Sequence, residues 1–324
     1  MRLILYILFI LMPMQMMAKS TLATTDIVDE QHLLKLLDEY IDRRELYTEQ
    51  KEEKIKQLKI KLRMAHNNDK RLSILDAIYR EYYTYNYDSA MVYVNRGLSL
   101  ALSDNNTYYV TLNRINRAAV LSTGGFYSQA ETLLLDIDEK KVPQQLKQYY
   151  YYTTTWLYNY WESFCDKSEF KNYYRQKKQQ FLRLTVNTTH SNYVGLYAYL
   201  SGELAYLENP LGKDVLRHYT IAINNSPVNS RVHASAAYCI ARYNRELGNM
   251  QLYEKYIVEA AISDIVCPLK ENLALQELST YLYKKNPKNA NYAARYIYIS
   301  MEDAQFYNNR LRMLEISNIL PIIA

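Results

Sequence analysis

The sequence predicts an all-α chain, a tetratricopeptide-like solenoid of about six stacked helical hairpins preceded by a long N-terminal helix. Three observations carry that prediction. Only seven Gly and seven Pro occur in 324 residues, far fewer breakers than average usage supplies, so strands and tight turns are scarce and loops are short. The 35 Tyr against six Phe favour many half-buried helix faces, because a tyrosine ring is apolar at one end and wet at the other. The third observation is a repeat of about 40 residues, set out below. The chain is too long for one ordinary core and long enough for an elongated array.

Residues 1–18 carry Arg2, an apolar run from Leu3 to Met12 and a small residue at Ala18. That layout is a secretory signal, too short for a comfortable membrane span. The expected location is therefore the periplasm. Residues 26–66 follow as a capping segment with no Gly or Pro. Leu33, Leu36, Leu37, Tyr40, Tyr47, Ile55, Leu58 and Leu62 give it a broken apolar stripe. Its charged middle, Arg43 to Lys61, mixes both signs and reads as a solvated face.

Residues 67–303 hold the repeats. In a tetratricopeptide unit two antiparallel helices approach through small residues, and the second carries a small or apolar residue, an apolar one four later and a small one three after that. Those positions share one helix face. "YNYDSAMVYVNRGLSLALSD" gives Ala90, Val94 and Gly97; "GGFYSQAETLLLDIDEKKVP" gives Ala130, Leu134 and Ile137, with Ala118 before it. Val215, Tyr219 and Ala222 follow, then Tyr253, Ile257 and Ala260 with Ala241 before them, then Ala293, Ile297 and Ser300. Successive triplets stand about 40 residues apart except for one double gap, into whose middle Tyr173 falls. That unit departs from the pattern, with Lys177 and Gln180 where apolar and small residues belong. Gly97 costs about 1 kcal/mol of helix propensity, which close packing around Val94 and Leu98 offsets at roughly 1.5–3 kcal/mol per buried side chain.

Residues 304–324 read as a C-terminal helix. "RLRMLEISNILPIIA" stops inside an apolar run, and the expectation is a natural chain that continues past Ala324 towards a membrane segment. Cys165, Cys239 and Cys267 are widely spaced and odd in number, which argues against a disulfide framework without excluding one bridge.

With those segments in place, the chain resembles a family of exported tetratricopeptide sensor/regulators of Gram-negative anaerobes. The resemblance rests on "LDEYIDRRELYTEQKEEKIKQLK", "YNYDSAMVYVNRGLSLA" and "SMEDAQFYNNRLRMLEISNILPIIA" and covers almost the whole exported chain. It implies a periplasmic repeat domain followed by a transmembrane helix and a cytoplasmic part acting in transcriptional regulation.

The chemistry in the sequence is sparse. No phosphate-cradling loop, zinc-protease motif, paired-cysteine motif or nucleophile elbow occurs, and no cofactor or metal is expected. The five His, including His218 beside Tyr219, lack ligand spacing. The net charge of +5 is scattered, so nucleic-acid contact by this portion is not expected. The suggestive feature is aromatic: Tyr149, Tyr152, Trp156, Tyr160 and Trp161 stand out within "YYYYTTTWLYNYW". They form either a platform for a protein, peptide or glycan-derived ligand or ordinary interhelical packing. Three functional readings follow: the sensing portion of a membrane-anchored regulator, a free periplasmic scaffold, and an enzyme. The last is the weakest, since a catalytic carboxylate pair would need a cleft.

Overall fold

The computed structural model describes residues 29–165, 169–271 and 273–323; the signal sequence expected at residues 1–18 lies outside them. Fifteen α-helices and no strand occur among the described residues. Two helices come first, α1 (Glu30–Asp42) and α2 (Arg44–Arg63). Six hairpins follow: α3 (Asn68–Tyr82) with α4 (Tyr87–Ser103), α5 (Thr107–Thr123) with α6 (Tyr127–Leu135), and α7 (Gln144–Phe164) with α8 (Lys171–Thr188). The next three are α9 (Val194–Glu208) with α10 (Lys213–Asn224), α11 (Arg231–Glu246) with α12 (Met250–Val266), and α13 (Ala274–Lys285) with α14 (Ala290–Tyr307). The last helix, α15 (Arg310–Ile323), packs on α13 and α14. The fold is an all-α tetratricopeptide-like solenoid.

Short polar side chains start the helices. Asn67, Asn86, Asn106 and Ser230 each accept a hydrogen bond from the backbone N–H three residues on, at 2.8, 2.9, 3.2 and 3.3 Å, satisfying a donor that the first turn leaves unpaired. Left-handed residues end them: Gly125 (φ 85°), Gly248 (φ 76°) and Asn308 (φ 68°) turn the chain after α5, α11 and α14, a conformation glycine and asparagine tolerate best.

Small residues sit where helices meet. Ala90, Ala118, Ala130, Ala222, Ala241 and Ala260 are fully buried. A Cβ on Gly97 would lie 2.6 Å from Asn113 Oδ1 on α5, and one on Gly202 would lie 2.6 Å from the Tyr219 ring on α10. In α8 the phase is shifted by one residue. Tyr173 and Gln180 are exposed, while Leu182 and Thr185 are buried and Lys178 pairs with Glu162 at 2.5 Å.

The N-terminal segment is two helices broken at Arg43, and it works as a strap between distant repeats. Leu33, Leu34, Leu37 and Ile41 of α1 are buried in the same apolar cluster as α10 to α15. Arg295 on α14 meets Asp38 at 2.9 Å and Asp42 at 2.5 Å, and Arg44 meets Glu302 at 2.7 Å. From α2, Lys51 and Lys54 reach Glu81 on α3 at 3.4 and 2.6 Å. These pairs are part-exposed, and such pairs contribute about 0–1 kcal/mol each. The apolar side chains beneath contribute about 1.5–3 kcal/mol each. Packing holds the strap, and charge sets its register.

Two outcomes follow. Gly202→Ala should lower stability by roughly 1–3 kcal/mol, because the Tyr219 ring is fully buried and has nowhere to go. A thermal melt equal to or above the parent's would contradict this close approach. Leu37→Ala should cost about 2–5 kcal/mol and Arg295→Ala under about 1 kcal/mol; the reverse order in urea titration would make the strap electrostatic.

Candidate functional site

On α7, Tyr149, Tyr152, Trp156 and Tyr160 recur every three or four residues and share one face. Each meets a different part of the chain. The Tyr149 hydroxyl lies 3.2 Å from that of Tyr79 on α3. Tyr152 stands edge-on to Trp156, their centroids 5.8 Å apart, and Trp156 stacks on Tyr199 of α9 at 6.2 Å. The buried Tyr160 hydroxyl accepts from Arg231 Nη2 at the start of α11, at 3.2 Å. Trp161 faces away and stacks on Tyr174 at 4.3 Å and on Tyr127 at 5.8 Å. The remaining tyrosines of the run tie α7 to its neighbours: Tyr151 donates to Glu139 and Tyr158 to Glu131, at 2.7 and 2.8 Å.

Arg231 is the junction of the interior. Its Nη2 also donates to Glu271 at 3.1 Å, and its guanidinium lies 5.5 Å from the Tyr83 ring. Tyr83 belongs to the first hairpin's turn, and its carbonyl accepts from Tyr307 at the end of α14, at 2.8 Å. The Tyr307 hydroxyl also lies 2.7 Å from Thr123 Oγ1. Beside them, Lys270 N–H donates to the Thr84 carbonyl at 2.8 Å. The first hairpin therefore touches the last, and the array closes on itself around α7. Burial, only partly opposed by Arg231, pushes the Tyr83 phenol up to about 12, and burial with Glu271 nearby raises that of Tyr160 well above its ordinary value.

A second constellation joins α9, α10 and α11. Glu203 accepts from Tyr219 Oη at 2.6 Å, from Cys239 Sγ at 3.2 Å and from Arg242 Nη2 at 3.4 Å. Arg242 lies 3.9 Å from the Tyr206 ring centroid, whose hydroxyl donates to Glu246 at 2.6 Å. Burial pushes the Glu203 carboxyl up, but Arg242 and the bonds from Tyr219 and Cys239 outweigh it and hold it below its ordinary value. Tyr199 connects this group to Trp156. Two buried donors here, Trp156 Nε1 and Arg242 Nε, find no acceptor among the described residues. Buried donors are normally satisfied, and other buried side-chain atoms, among them Thr153 Oγ1 on α7 and Arg312 Nε on α15, are in the same state.

The sequence reading singled out α7 but not Arg231, Glu203, Arg242, Glu271 or Tyr307. A signal was present. Polar pairs recur at the repeat spacing: Arg231 with Glu271 and Tyr206 with Glu246 are 40 residues apart, and Glu203 with Arg242 and Tyr238 with Glu277 are 39 apart. Each links the same position in successive units. Among the described residues no group of three or more His, Cys, Asp or Glu could hold a metal, and no helix is long and apolar enough to cross a membrane. Cys165, Cys239 and Cys267 are free thiols.

Protonation discriminates two buried acids. A depressed carboxyl such as Glu203 stabilises fully above its unfolded value, and that contribution fades as pH falls below about 4.3. Asp264 is the opposite case: burial, with Glu271 alongside, raises its carboxyl well above the usual range despite Arg231. Its stabilising effect is full at low pH and is lost as pH rises through the raised value. Melts across acid to neutral pH should therefore show Glu203→Gln flattening the acid limb, and Asp264→Asn raising stability at neutral but not acid pH. Parallel curves for parent and both variants would contradict these environments.

No curated protein matches the chain. The profile of the SusR N-terminal TPR domain matches residues 41–318, which takes in all six hairpins and most of the strap and last helix. Tetratricopeptide arrays generally mediate protein interactions. The chain belongs to the SusR N-terminal TPR domain family, a sensor or protein-binding type of repeat domain.

Proposed function

We propose that this chain is the periplasmic sensing portion of a membrane-anchored transcriptional regulator, exported by residues 1–18. Its ligand is a protein segment, a peptide or a glycan-derived molecule, received against Trp156, Tyr152 and Tyr199. The observation that carries this reading is the pair of buried donors, Trp156 Nε1 and Arg242 Nε, left without acceptors beside stacked aromatic rings. Peptide carbonyls and sugar hydroxyls both supply acceptors and a face that stacks on an indole.

Occupancy at Trp156 reaches the last helices through the interior. Tyr160 lies one turn along α7 from Trp156 and holds Arg231, and Arg231 sits against Tyr83, which Tyr307 grips. A ligand that favours one arrangement of this network shifts how α14 and α15 present the segment beyond Ala324, by as much as its affinity differs between the two arrangements. Membership of a family of sensor or protein-binding repeat domains supports the reading. The alternative is a free periplasmic scaffold. The gene beyond Ala324 discriminates them: an apolar run of about 20 residues supports the anchored sensor, and a stop codon supports the scaffold.

Thermal-shift screening of the chain with peptides and oligosaccharides supplies a ligand for the decisive comparison. Trp156→Phe, which keeps a ring and removes the N–H, should weaken binding about tenfold, or roughly 1.4 kcal/mol. Trp161→Phe should leave binding unchanged. Equal effects of the two substitutions would return the α7 aromatics to packing.

A further inference from the structure

His233 sits where α11, α12 and the turn after α10 meet. We propose that His233 and Glu259 form a proton-operated bolt that fixes this turn onto α12 and thereby sets the position of Arg231. His233 lies in the first turn of α11 and is 3% exposed. Its Nδ1 stands 3.1 Å from the Ser226 carbonyl, and its Nε2 stands 3.1 Å from Glu259 Oε1 on α12. A carbonyl oxygen only accepts, and so does an ionised carboxylate. The ring therefore makes both bonds only with a proton on each nitrogen, or with the second proton resting on Glu259. Histidine is the side chain suited to such a change between about pH 5 and 8.

Removing one proton from the pair leaves two acceptors facing each other, at Ser226 or at Glu259. Both side chains are buried, so solvent does not replace the lost donor, and an unpaired buried acceptor is costly. The turn is the part with least to hold it. Ser263 Oγ on α12 donates to the Val228 carbonyl, and Ser230 Oγ closes on the Pro227 carbonyl at 2.6 Å. The start of α9 rests on the same point, since a Cβ on Gly195 would run into Ser226 Oγ. Arg231 follows the turn directly and bonds Tyr160 and Glu271, so movement of the turn reaches the interior junction. Glu259 is the charge that meets the ring. Residues 224–230 hold no titratable side chain. On α12, Tyr256 stands near Glu259 with Lys255 Nζ 5.6 Å from its ring centroid, and Asp264 faces Glu271 and Arg231. Tyr193 and Tyr197, either side of Gly195 on α9, are exposed.

Hydrogen exchange of the whole chain, referenced to the intrinsic rate at each pH, tests the bolt. In the parent, protection at residues 226–232 should fall at least about tenfold between about pH 5 and about pH 8, and protection around Tyr160 on α7 should fall with it. Glu259→Gln offers an amide N–H to the singly protonated ring, so both regions should keep their protection across the range. His233→Phe, which makes neither bond, should show low protection at both ends; should it fail to fold, the parent and Glu259→Gln decide alone. Asp264 is intact in all three, so its own titration cancels. A parent whose protection does not change, or a Glu259→Gln variant that loses protection as the parent does, would overturn the proposal. So would a loss confined to the turn, which would cut the link to Arg231. The readout needs no ligand, so failure here leaves the Trp156 reading untouched.

Discussion

Each hairpin in this chain is too thin to bury its own apolar flank, and the close approach of neighbouring helices is the constraint from which the rest follows. That approach is possible only where side chains have almost no bulk, at Ala90, Gly97, Ala118, Ala130, Gly202, Ala222, Ala241 and Ala260. Propensity alone disfavours glycine inside a helix by about 1 kcal/mol. Gly97 and Gly202 are kept because Asn113 and Tyr219 already occupy the space of a Cβ. Tight packing along the array then fixes its curvature, since interiors at this density do not deform continuously.

Curvature brings the first hairpin against the last. The Tyr83 carbonyl, the Thr123 hydroxyl and the buried Tyr307 meet at one point, though 184 residues separate Thr123 from Tyr307 and 224 separate Tyr83 from Tyr307. The strap of α1 and α2 adds a second closure between α14 and α3. Between them lies a lining of tyrosines around Arg231, whose guanidinium meets Tyr160, Glu271 and the Tyr83 ring. Trp156 Nε1 and Arg242 Nε are among the buried side-chain atoms left without a partner among the described residues. The α7 row is linked by contact to the first hairpin through Tyr79 and, through Tyr160, Arg231 and Tyr83, to the last.

Much of this was legible in the residues, and the exceptions have physical causes. The helices follow from scarce breakers, and the hairpins follow from small residues recurring about every 40 positions. The phase of α8 was misread because its marker residues come in doublets. Tyr173 and Tyr174, and Lys177 and Lys178, present the same residue type at adjacent positions, so composition cannot tell which of each pair faces inward. The aromatic row of α7 was visible by density alone. Its partners Tyr79, Tyr199, Arg231 and Glu271 come from other helices, and only curvature places them there. The N-terminal segment read as a long capping helix. Its actual role as a strap depends on α12 and α14, which no local pattern in residues 26–66 could reveal.

Native-state hydrogen exchange of a Tyr307→Phe variant tests the closure most directly. The lost hydroxyl should lower protection in α14, around Tyr83 and at the end of α5 near Thr123 by similar amounts, because one contact holds three distant segments. Loss confined to α14 and α15 would show that the two ends of the array are merely adjacent.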